Sequence, residues 1–291
     1  MTDSHCHLDH GLLKENLDDE LESFVKNGGV RILNAGSSIE DFPLTIATAR
    51  KYRTIYPNLI KSSLGLHPET LYSNSVASSE TISLEKVNLL VSEFESTVEK
   101  NIDLLSSIGE TGLDYHQLIG SEIDHSEIEN VTEVIEAQKL SFRRHLIKAI
   151  EHKLPLTIHS RENQGQSECI QDSLKIITEI GKGQIQGSMH SYTGPIEQLQ
   201  DILDLGLFVG FNGIITYKSG GDVRELLKQT PIERILLETD APYLPLRHKN
   251  AQSYGNPTDI QEIAKVAAEI KNVSVKKLLE ITTDNFIQLF G

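Results

Sequence analysis

Short apolar runs recur along the chain, and most of them are continuously apolar instead of alternating with polar residues. Each run has the length of a strand and ends in polar residues or glycine. Continuous apolar runs are typical of strands in a parallel sheet that is covered on both faces. A first strand precedes His5, and the other predicted strands are residues 30–35, 59–66, 102–108, 154–158, 184–189, 207–211 and 234–237.

Stretches with the spacing of amphipathic helices lie between these runs. The longest extends over residues 131–152 and places Ile135, Phe142 and Leu146 on one face. The other predicted helices are residues 18–26, 39–52, 167–180, 195–203, 222–228 and 259–270. Polar residues dominate two further stretches, 73–85 and 117–130, which we expect to be extended βα loops.

Strand signals that alternate with helix signals predict βα units, and about eight strands are what a closed barrel needs. The sequence therefore predicts a single α/β domain over residues 1–291, a (β/α)8 TIM-type barrel with parallel strands. An open doubly wound sheet is the alternative, but no glycine-rich dinucleotide fingerprint follows the first strand.

The formal net charge of −15 bears on the substrates that the chain could bind. A protein that binds nucleic acid by general electrostatics carries a basic face, because neutralising phosphates supplies most of the non-specific affinity. The composition lacks this feature, so a polyanionic substrate would need bound cations and a few local basic groups. The acidity does not exclude an enzyme that touches only one strand end.

Cysteine usage and hydropathy bear on the location of the protein. Cys6 and Cys169 lie far apart without metal-type spacing, so neither a disulfide framework nor a zinc ribbon is predicted. The sequence has no signal-peptide pattern and no apolar run approaching about 18 residues. We therefore expect a cytoplasmic protein without a membrane anchor, and nothing in the sequence indicates an obligate protein partner.

The candidate chemistry begins with His5 and His7, near the start of the chain. On a strand, residues i and i+2 face the same side about 6–7 Å apart, so two imidazoles can converge on one cation. The pair is a weak signal by itself, because a chain with 11 histidines can contain such a pair by chance.

Four further residues with metal-binding side chains follow predicted strands: Glu110, His159, His190 and Asp240. The carboxyl ends of the strands in a barrel meet on one face, so all these side chains project toward it. Four histidines and two carboxylates at one rim match a site for divalent cations. The alternative is that each histidine is simply packed in the core or at the rim and that each acid caps a helix. This alternative would have to be true of all six residues.

Motifs along the whole chain resemble those of the TatD family of metal-dependent deoxyribonucleases. The opening run Asp3-Ser4-His5-Cys6-His7-Leu8-Asp9 is similar to the first motif of that family. The further motifs that match, in order, are Gly65 to Pro68, Gly109 to Tyr115, Pro155 to Arg161, His190 to Gly194, Glu238 to Leu244, Thr282 to Asn285 and Leu289 to Gly291. Together these motifs are highly specific.

The resemblance implies a barrel of the amidohydrolase type that binds two divalent metal ions, Mg²⁺, Mn²⁺ or Zn²⁺. It also implies hydrolysis of phosphodiester bonds in DNA, with attack on single-stranded ends. The ligands that it implies are His5, His7 and Asp240 for one cation, His159 and His190 for the other, and Glu110 as a bridge between them.

Three features depart from the pattern of the family. His145 ends the motif of the central helix, where the family often has a glutamine. After the last acidic motif, the Arg-Asn-x-Pro pattern is only partly kept, as Gly255-Asn256-Pro257-Thr258, and the 117–130 loop is longer than usual. The last two features border the mouth of the barrel, so they bear on substrate preference.

Glu110 and Asp240 are the expected catalytic carboxylates at a pair of cations that clamps a phosphoryl oxygen and activates a water. Asp240 would accept the proton of that water. His67 and Arg161 lie at the same rim and are expected to contact phosphate oxygens. The alternatives are that His67 caps a turn and that Arg161 pairs with a surface acid.

Tyr115 and Tyr192, each just past a motif, are candidates for stacking on a base or sugar, with packing at the base of a loop as the alternative. Asp114 is expected to accept a hydrogen bond that orients its loop. Glu238 shares a side of its strand with Asp240 but lies deeper, so we expect it to support the site.

A metal-dependent deoxyribonuclease is therefore the leading hypothesis. The same binuclear barrel could instead hydrolyse an amide, a lactone or a small phosphoester, since this fold hosts many reactions. The acidity and the few aromatic residues favour that alternative slightly, whereas the dense motif match favours the nuclease. A third possibility is a non-catalytic metal-binding scaffold. All six candidate ligands are intact, which argues against it.

Overall fold

The computed structural model describes residues 1–71, 83–116, 118, 131–246 and 254–291. In this part of the chain, eight parallel strands alternate with helices, and the order of the strands in the sheet follows their order along the chain. The predicted (β/α)8 barrel is thereby confirmed. The strands are β1 (Thr2–Cys6), β2 (Arg31–Gly36), β3 (Ile60–Leu64), β4 (Leu105–Asp114), β5 (Leu156–Arg161), β6 (Gly187–Met189), β7 (Phe208–Phe211) and β8 (Ile235–Leu237).

The helices connect successive strands and pack against the sheet. Among the described residues, none of them is long and apolar enough to cross a membrane. They are α1 (Gly11–Glu15), α2 (Leu17–Lys26), α3 (Phe42–Ile55), α4 (Leu84–Asn101), α5 (Val131–His152), α6 (Glu168–Gly181), α7 (Leu199–Asp204), α8 (Gly221–Gln229), α9 (Ile260–Lys271) and α10 (Val275–Phe290).

The barrel closes where β1 meets the segment that follows β8. The Asp240 amide donates a hydrogen bond to the His5 carbonyl at 3.0 Å, and the His7 amide donates to the Ala241 carbonyl at 2.7 Å. These bonds hold the end of β1 against the end of β8, so the candidate ligands on both segments share one rim.

The main core lies between the sheet and its helices. Val91 and Phe94 of α4 and Phe142 of α5 are buried in one cluster with Ile108 of β4 and Ile158 of β5. The strands are apolar along their length because one face meets the helices while the other fills the barrel interior.

The bounds of β4 differ from the prediction. Residues 102–104 form a 3-10 turn, and β4 then continues to Asp114, so that Glu110 lies within the strand instead of after it. Glycine and polar residues from Gly109 to Thr111 interrupt the apolar pattern, although the backbone pairing continues. His159 likewise lies within β5.

Three helices, α1, α4 and α10, are absent from the pattern-based prediction. The predicted loop at 73–85 ends in the first turn of α4, and residues 73–82 lie outside the described residues. The predicted loop at 117–130 also lies outside them, apart from Leu118. The buried side of α4 recurs at helical spacing, so the sequence carried a signal for this helix that the prediction missed; these residues are Val87, Val91, Phe94 and Val98.

Close pairing of β4 with β5 requires a glycine at position 112. Gly112 has a φ of +147°, and a Cβ at this position would overlap the His159 carbonyl oxygen. We expect Gly112→Ala to lower the free energy of unfolding by about 2–4 kcal/mol, because a backbone atom cannot move aside cheaply. Urea denaturation would measure the change.

Gly183 provides the matched control for this substitution. Its φ is +77°, but no heavy atom would lie within 4 Å of an added Cβ. Gly183→Ala should therefore lower the free energy of unfolding by only about 1–2 kcal/mol, because alanine is strained in the left-handed backbone conformation. Equal losses in the two variants would contradict the steric explanation.

Candidate metal centre

The six side chains predicted as cation ligands all lie at the carboxyl-end rim of the barrel. Strand direction places them there, because each lies near the end of a strand or directly after one. His5 is buried beneath a solvent-accessible cavity of about 530 Å³, which the other five line. These five are His7, Glu110, His159, His190 and Asp240.

A first group of donor atoms surrounds the end of β1. The Nε2 atoms of His5 and His7 lie 3.1 Å apart. Oε2 of Glu110 lies 3.3 Å from the first nitrogen and 3.6 Å from the second. Oδ1 of Asp240 lies 3.8 Å and 3.5 Å from the same two atoms. A tetrahedral ion with bonds of about 2.1 Å separates its ligands by about 3.4 Å, so this spacing fits one cation.

The other carboxylate oxygen of Glu110 faces a second group of imidazoles. Oε1 lies 2.9 Å from Nδ1 of His159 and 3.7 Å from Nε2 of His190. Nε2 of His67 is also 3.7 Å from this oxygen. Glu110 therefore stands between the two groups with one oxygen toward each, as a bridging carboxylate would.

The surrounding imidazoles keep Glu110 ionised. Burial alone would raise its pKa, but electrostatic interactions with the imidazoles of His67, His5 and His190 and the hydrogen bond with His159 hold the pKa well below the usual value. The ionised carboxylate is the form that binds a cation. The donor set thus has both the spacing and the charge that a divalent ion requires.

Asp114 supports the second group from behind His159. Its Oδ2 accepts a hydrogen bond from Nε2 of His159 at 2.9 Å, so that Nδ1 of this ring faces Glu110. Its Oδ1 accepts from the His116 amide at 2.9 Å and orients the following loop, as predicted. The contact with His159 has no sequence signal, because it depends on the pairing of β4 with β5.

Glu238 has the corresponding place behind His190. Its Oε1 lies 2.9 Å from Nδ1 of His190 and accepts a hydrogen bond from the Ser191 amide at 2.6 Å. Gly210 of β7 leaves room for this carboxylate, because a Cβ there would overlap it. These contacts agree with the deeper, supporting position predicted for Glu238.

Carboxylates surround His159 and His190 so closely that both rings hold protons when no cation is bound. Against the effect of burial, Asp114 and Glu110 raise the pKa of His159 to about 9. Burial would also lower the pKa of His190, but Glu238 and Glu110 outweigh this effect and raise the pKa to about 10. A cation would replace the positive charge that these rings carry, so its uptake would release protons.

His67 and Arg161 both line the cavity, but their environments differ. Burial lowers the pKa of His67 to about 4, so its ring is neutral at pH 7. A neutral ring adds no positive charge at a phosphate, so the expected contact of His67 with a phosphate oxygen would be a hydrogen bond, and the ring also suits a cation ligand. Donor atoms of His67, Asp114 and His159 lie close enough together to hold an ion. Arg161 is exposed at the end of β5, where it can reach a phosphate.

Tyr115 and Tyr192 are placed away from the cavity surface. Their side chains are 2% and 1% exposed. The hydroxyl of Tyr115 donates to Asp172 at 2.9 Å, and that of Tyr192 donates to the Pro195 carbonyl at 2.8 Å. This burial argues against the predicted stacking on a base and favours the alternative, packing at the base of the loops.

Two departures from the pattern of the family have structural roles. His145 is buried, and its Nε2 accepts a hydrogen bond from the Leu66 amide at 3.0 Å, next to His67. Asn256 forms a capping box with Asp259 before α9. Both residues hold backbone at the barrel mouth, and neither side chain lines the cavity.

Sequence reasoning did not select Tyr243, His10 or Glu69, although all three line the cavity. Tyr243 lies in the motif that contains Asp240, which is the signal that could have found it. The sequence does not distinguish an exposed ring from the buried rings of Tyr115 and Tyr192, because exposure depends on the neighbouring loops.

A parallel barrel with histidines and carboxylates converging at its carboxyl-end rim defines a class, the metal-dependent hydrolases built on a TIM-type barrel. The family model described as TatD related DNase matches residues 2–291. The chain therefore belongs to the TatD family.

Relatives agree with this assignment over their whole length. The chain is 30% identical over 295 residues to an uncharacterized metal-dependent hydrolase of Buchnera aphidicola subsp. Baizongia pistaciae, covering 100% of this chain and 96% of that protein. It is 28% identical over 297 residues to the uncharacterized metal-dependent hydrolase YcfH of Escherichia coli K12, with coverage of 100% and 95%. The crystal structure of YjjV, a TatD homolog from Escherichia coli K12, shares the fold with a TM-score of 0.80 at 21% identity, covering 100% of this chain and 97% of that one.

Proposed function

We propose that this chain is a deoxyribonuclease that hydrolyses phosphodiester bonds at the ends of single-stranded DNA. The observation that carries the proposal is the position of Glu110, whose Oε2 faces His5 and His7 while its Oε1 faces His159 and His190. A pair of divalent cations is a recurring arrangement in phosphatases and nucleases. The family name points to DNA as the substrate.

Two divalent cations would be held by the side chains at the rim. Imidazoles suit Zn²⁺, whereas carboxylates suit Mg²⁺ or Mn²⁺. When bound, such ions neutralise a phosphoryl oxygen and lower the pKa of a water. The ligands that we assign are His5, His7 and Asp240 for one ion, His159 and His190 for the other, and Glu110 for both, although His190 also lies 3.8 Å from Oδ1 of Asp240.

Asp240 is the residue that we assign to proton transfer. Its side chain is 16% exposed and lines the cavity, whereas that of His5 is fully buried. Burial would raise the pKa of Asp240, but the hydrogen bond from His7 and the charge of His190 hold it below the usual value. The carboxylate is therefore ionised at neutral pH and can accept a proton.

The charge of the protein limits how much nucleic acid this site can hold. The net charge is −15, and Arg161 is the one lysine or arginine among the described residues that line the cavity. A single guanidinium can bind one phosphate in a bidentate manner. We therefore propose that the site accepts a strand end and not a long segment of duplex.

Digestion of end-labelled oligonucleotides tests this proposal. The protein, loaded in turn with Mg²⁺, Mn²⁺ and Zn²⁺, would be given one sequence as single-stranded DNA, labelled at either end, and as RNA. We expect stepwise shortening of the DNA. A Glu110→Gln preparation purified in parallel controls for contaminating nucleases.

The same preparations would be assayed on an amide, a lactone and a small phosphoester. Turnover of one of these compounds without cleavage of DNA would overturn the proposal in favour of another hydrolysis at the same centre.

Removal of the carboxylate behind His159 should weaken cation binding without removing a ligand. In Asp114→Asn, the amide no longer offers a charged acceptor to Nε2 of His159. We expect the affinity for the cation at the second group to fall by about 10–100-fold. Calorimetric titration of metal-free protein would measure it.

Asp172→Asn is the matched control for this variant. Asp172 also accepts a side-chain hydrogen bond, from Tyr115, and pairs with Lys139, but it lies away from the cation ligands. Its replacement should leave cation affinity unchanged. An equal affinity in the Asp114→Asn variant and the wild type would contradict the supporting role.

A further inference from the structure

Tyr243 presents an aromatic ring inside the cavity. It is 51% exposed, whereas Tyr115 and Tyr192 are almost completely buried. Among the described residues that line the cavity, it is the one tyrosine, and no phenylalanine accompanies it. Tyr243 therefore provides the phenol ring that a molecule bound in this part of the cavity would contact.

The ring stands directly beside the first group of donor atoms. Its centroid lies 5.6 Å from that of His7, in an edge-to-face arrangement, and 6.2 Å from that of His10. Because His7 belongs to the group that would hold a cation, a phosphate at that cation would have Tyr243 as its neighbour. The moiety attached to this phosphate could then lie against the ring.

Hydrogen bonds hold the ring through its hydroxyl. Burial raises the pKa of Tyr243, so the hydroxyl keeps its proton, and it shares a hydrogen bond with Nδ1 of His10 at 3.1 Å. Nε2 of His10 lies 3.3 Å from Oδ2 of Asp41, which also accepts from the Ser38 hydroxyl at 2.8 Å. The hydroxyl is thus turned toward His10, and the ring is fixed in orientation.

The backbone directly before Tyr243 is also held by hydrogen bonds. The Ala241 carbonyl accepts from the His7 amide at 2.7 Å, and the Pro242 carbonyl accepts from the Gly255 amide at 2.9 Å. Gly255 permits this approach, because a Cβ there would lie 2.6 Å from the Tyr243 carbonyl oxygen. A ring already held in place loses little conformational entropy when a ligand packs on it.

We propose that Tyr243 is the platform on which the nucleobase next to the scissile phosphate stacks. This inference rests on the proposed function and deepens it. Stacking explains how a chain with a net charge of −15, and with one arginine among the described residues that line its cavity, can hold DNA, because stacking does not depend on neutralising phosphates. Every base has a face that can stack, so the site should tolerate any terminal sequence.

Variants of Tyr243 combined with abasic substrates test this platform. Wild type, Tyr243→Ala and Tyr243→Phe would be assayed on two single-stranded oligonucleotides, one ordinary and one with abasic residues at both ends. On the ordinary DNA, Tyr243→Ala should lower kcat/KM by about tenfold or more. On the abasic DNA the wild type should be slow already, and the alanine variant should differ from it by less than about threefold.

Tyr243→Phe separates the ring from the hydroxyl. Because it keeps the ring, it should stay within about threefold of wild type on ordinary DNA. Leu89→Ala is the surface control, since Leu89 is 66% exposed on α4 and does not line the cavity. Circular dichroism melting would show that all variants are folded.

Equal losses of the alanine variant on ordinary and abasic DNA would overturn the stacking role while leaving the nuclease proposal intact. A loss in Tyr243→Phe that is equally large on ordinary and abasic DNA would also overturn it, in favour of a role for the hydroxyl. If the wild type cleaves neither oligonucleotide with any of the three cations, the proposed function fails and the platform fails with it.

Discussion

Removal of divalent cations is expected to abolish hydrolysis, and return of a cation to the same protein should restore it. Without cations, an anionic phosphate would approach the carboxylates of Glu110, Asp114, Glu238 and Asp240, which pair with neighbouring imidazoles. A cation at such a centre contributes several kcal/mol to the transition state, which corresponds to a loss of at least about 10³-fold in rate.

The measurement uses protein treated with a chelator and then dialysed, with the residual metal determined by elemental analysis. Titration of each cation back into the sample gives the activity as a function of the metal bound per chain. The melting temperature should rise in parallel, because a ligand that binds only the folded state stabilises it. Full activity in protein verified as metal-free would contradict the proposed mechanism.

Asp240→Asn is expected to lower turnover by ~10²–10⁴-fold, the usual contribution of a general base. The amide keeps the size of the side chain and one ligating oxygen, but it has no charge and cannot accept the proton. The second group should still bind a cation, because Glu110, His159 and His190 remain in place.

Glu110→Gln provides the comparison, because it should weaken both cations instead of one. Metal content and turnover would be measured for both variants at saturating cation. Asp204→Asn is the surface control, since Asp204 is exposed in α7 and should keep normal turnover. Near-normal turnover of Asp240→Asn would show that Asp240 is neither the base nor an essential ligand.

Much of the fold could be predicted from local patterns. The apolar runs and the helical stretches between them indicate βα units, and strands at every predicted place form the observed sheet. The prediction was wrong at β4 and at α4. β4 extends past Ile108 through a register shift in its pairing with β5, which no local pattern indicates. The buried residues of α4 recur at helical spacing, so a signal for this helix was present in the sequence.

The barrel and the convergence of its candidate ligands can be predicted from the sequence alone. Both follow from residue type and from position relative to strand ends, because in a parallel barrel all carboxyl ends of the strands meet at one rim. His159 and Asp240 could therefore be brought to one site without knowledge of any contact between them.

The environment of each of these side chains depends on the tertiary packing and cannot be predicted from the sequence pattern. The carboxylate of Asp114 behind His159, the neutral ring of His67, the burial of Tyr115 and the exposure of Tyr243 depend on residues far apart in the chain. Burial, pKa and ring orientation are properties of packed neighbours. A sequence pattern specifies which side chains reach the rim, whereas the closed barrel sets their charge and accessibility there.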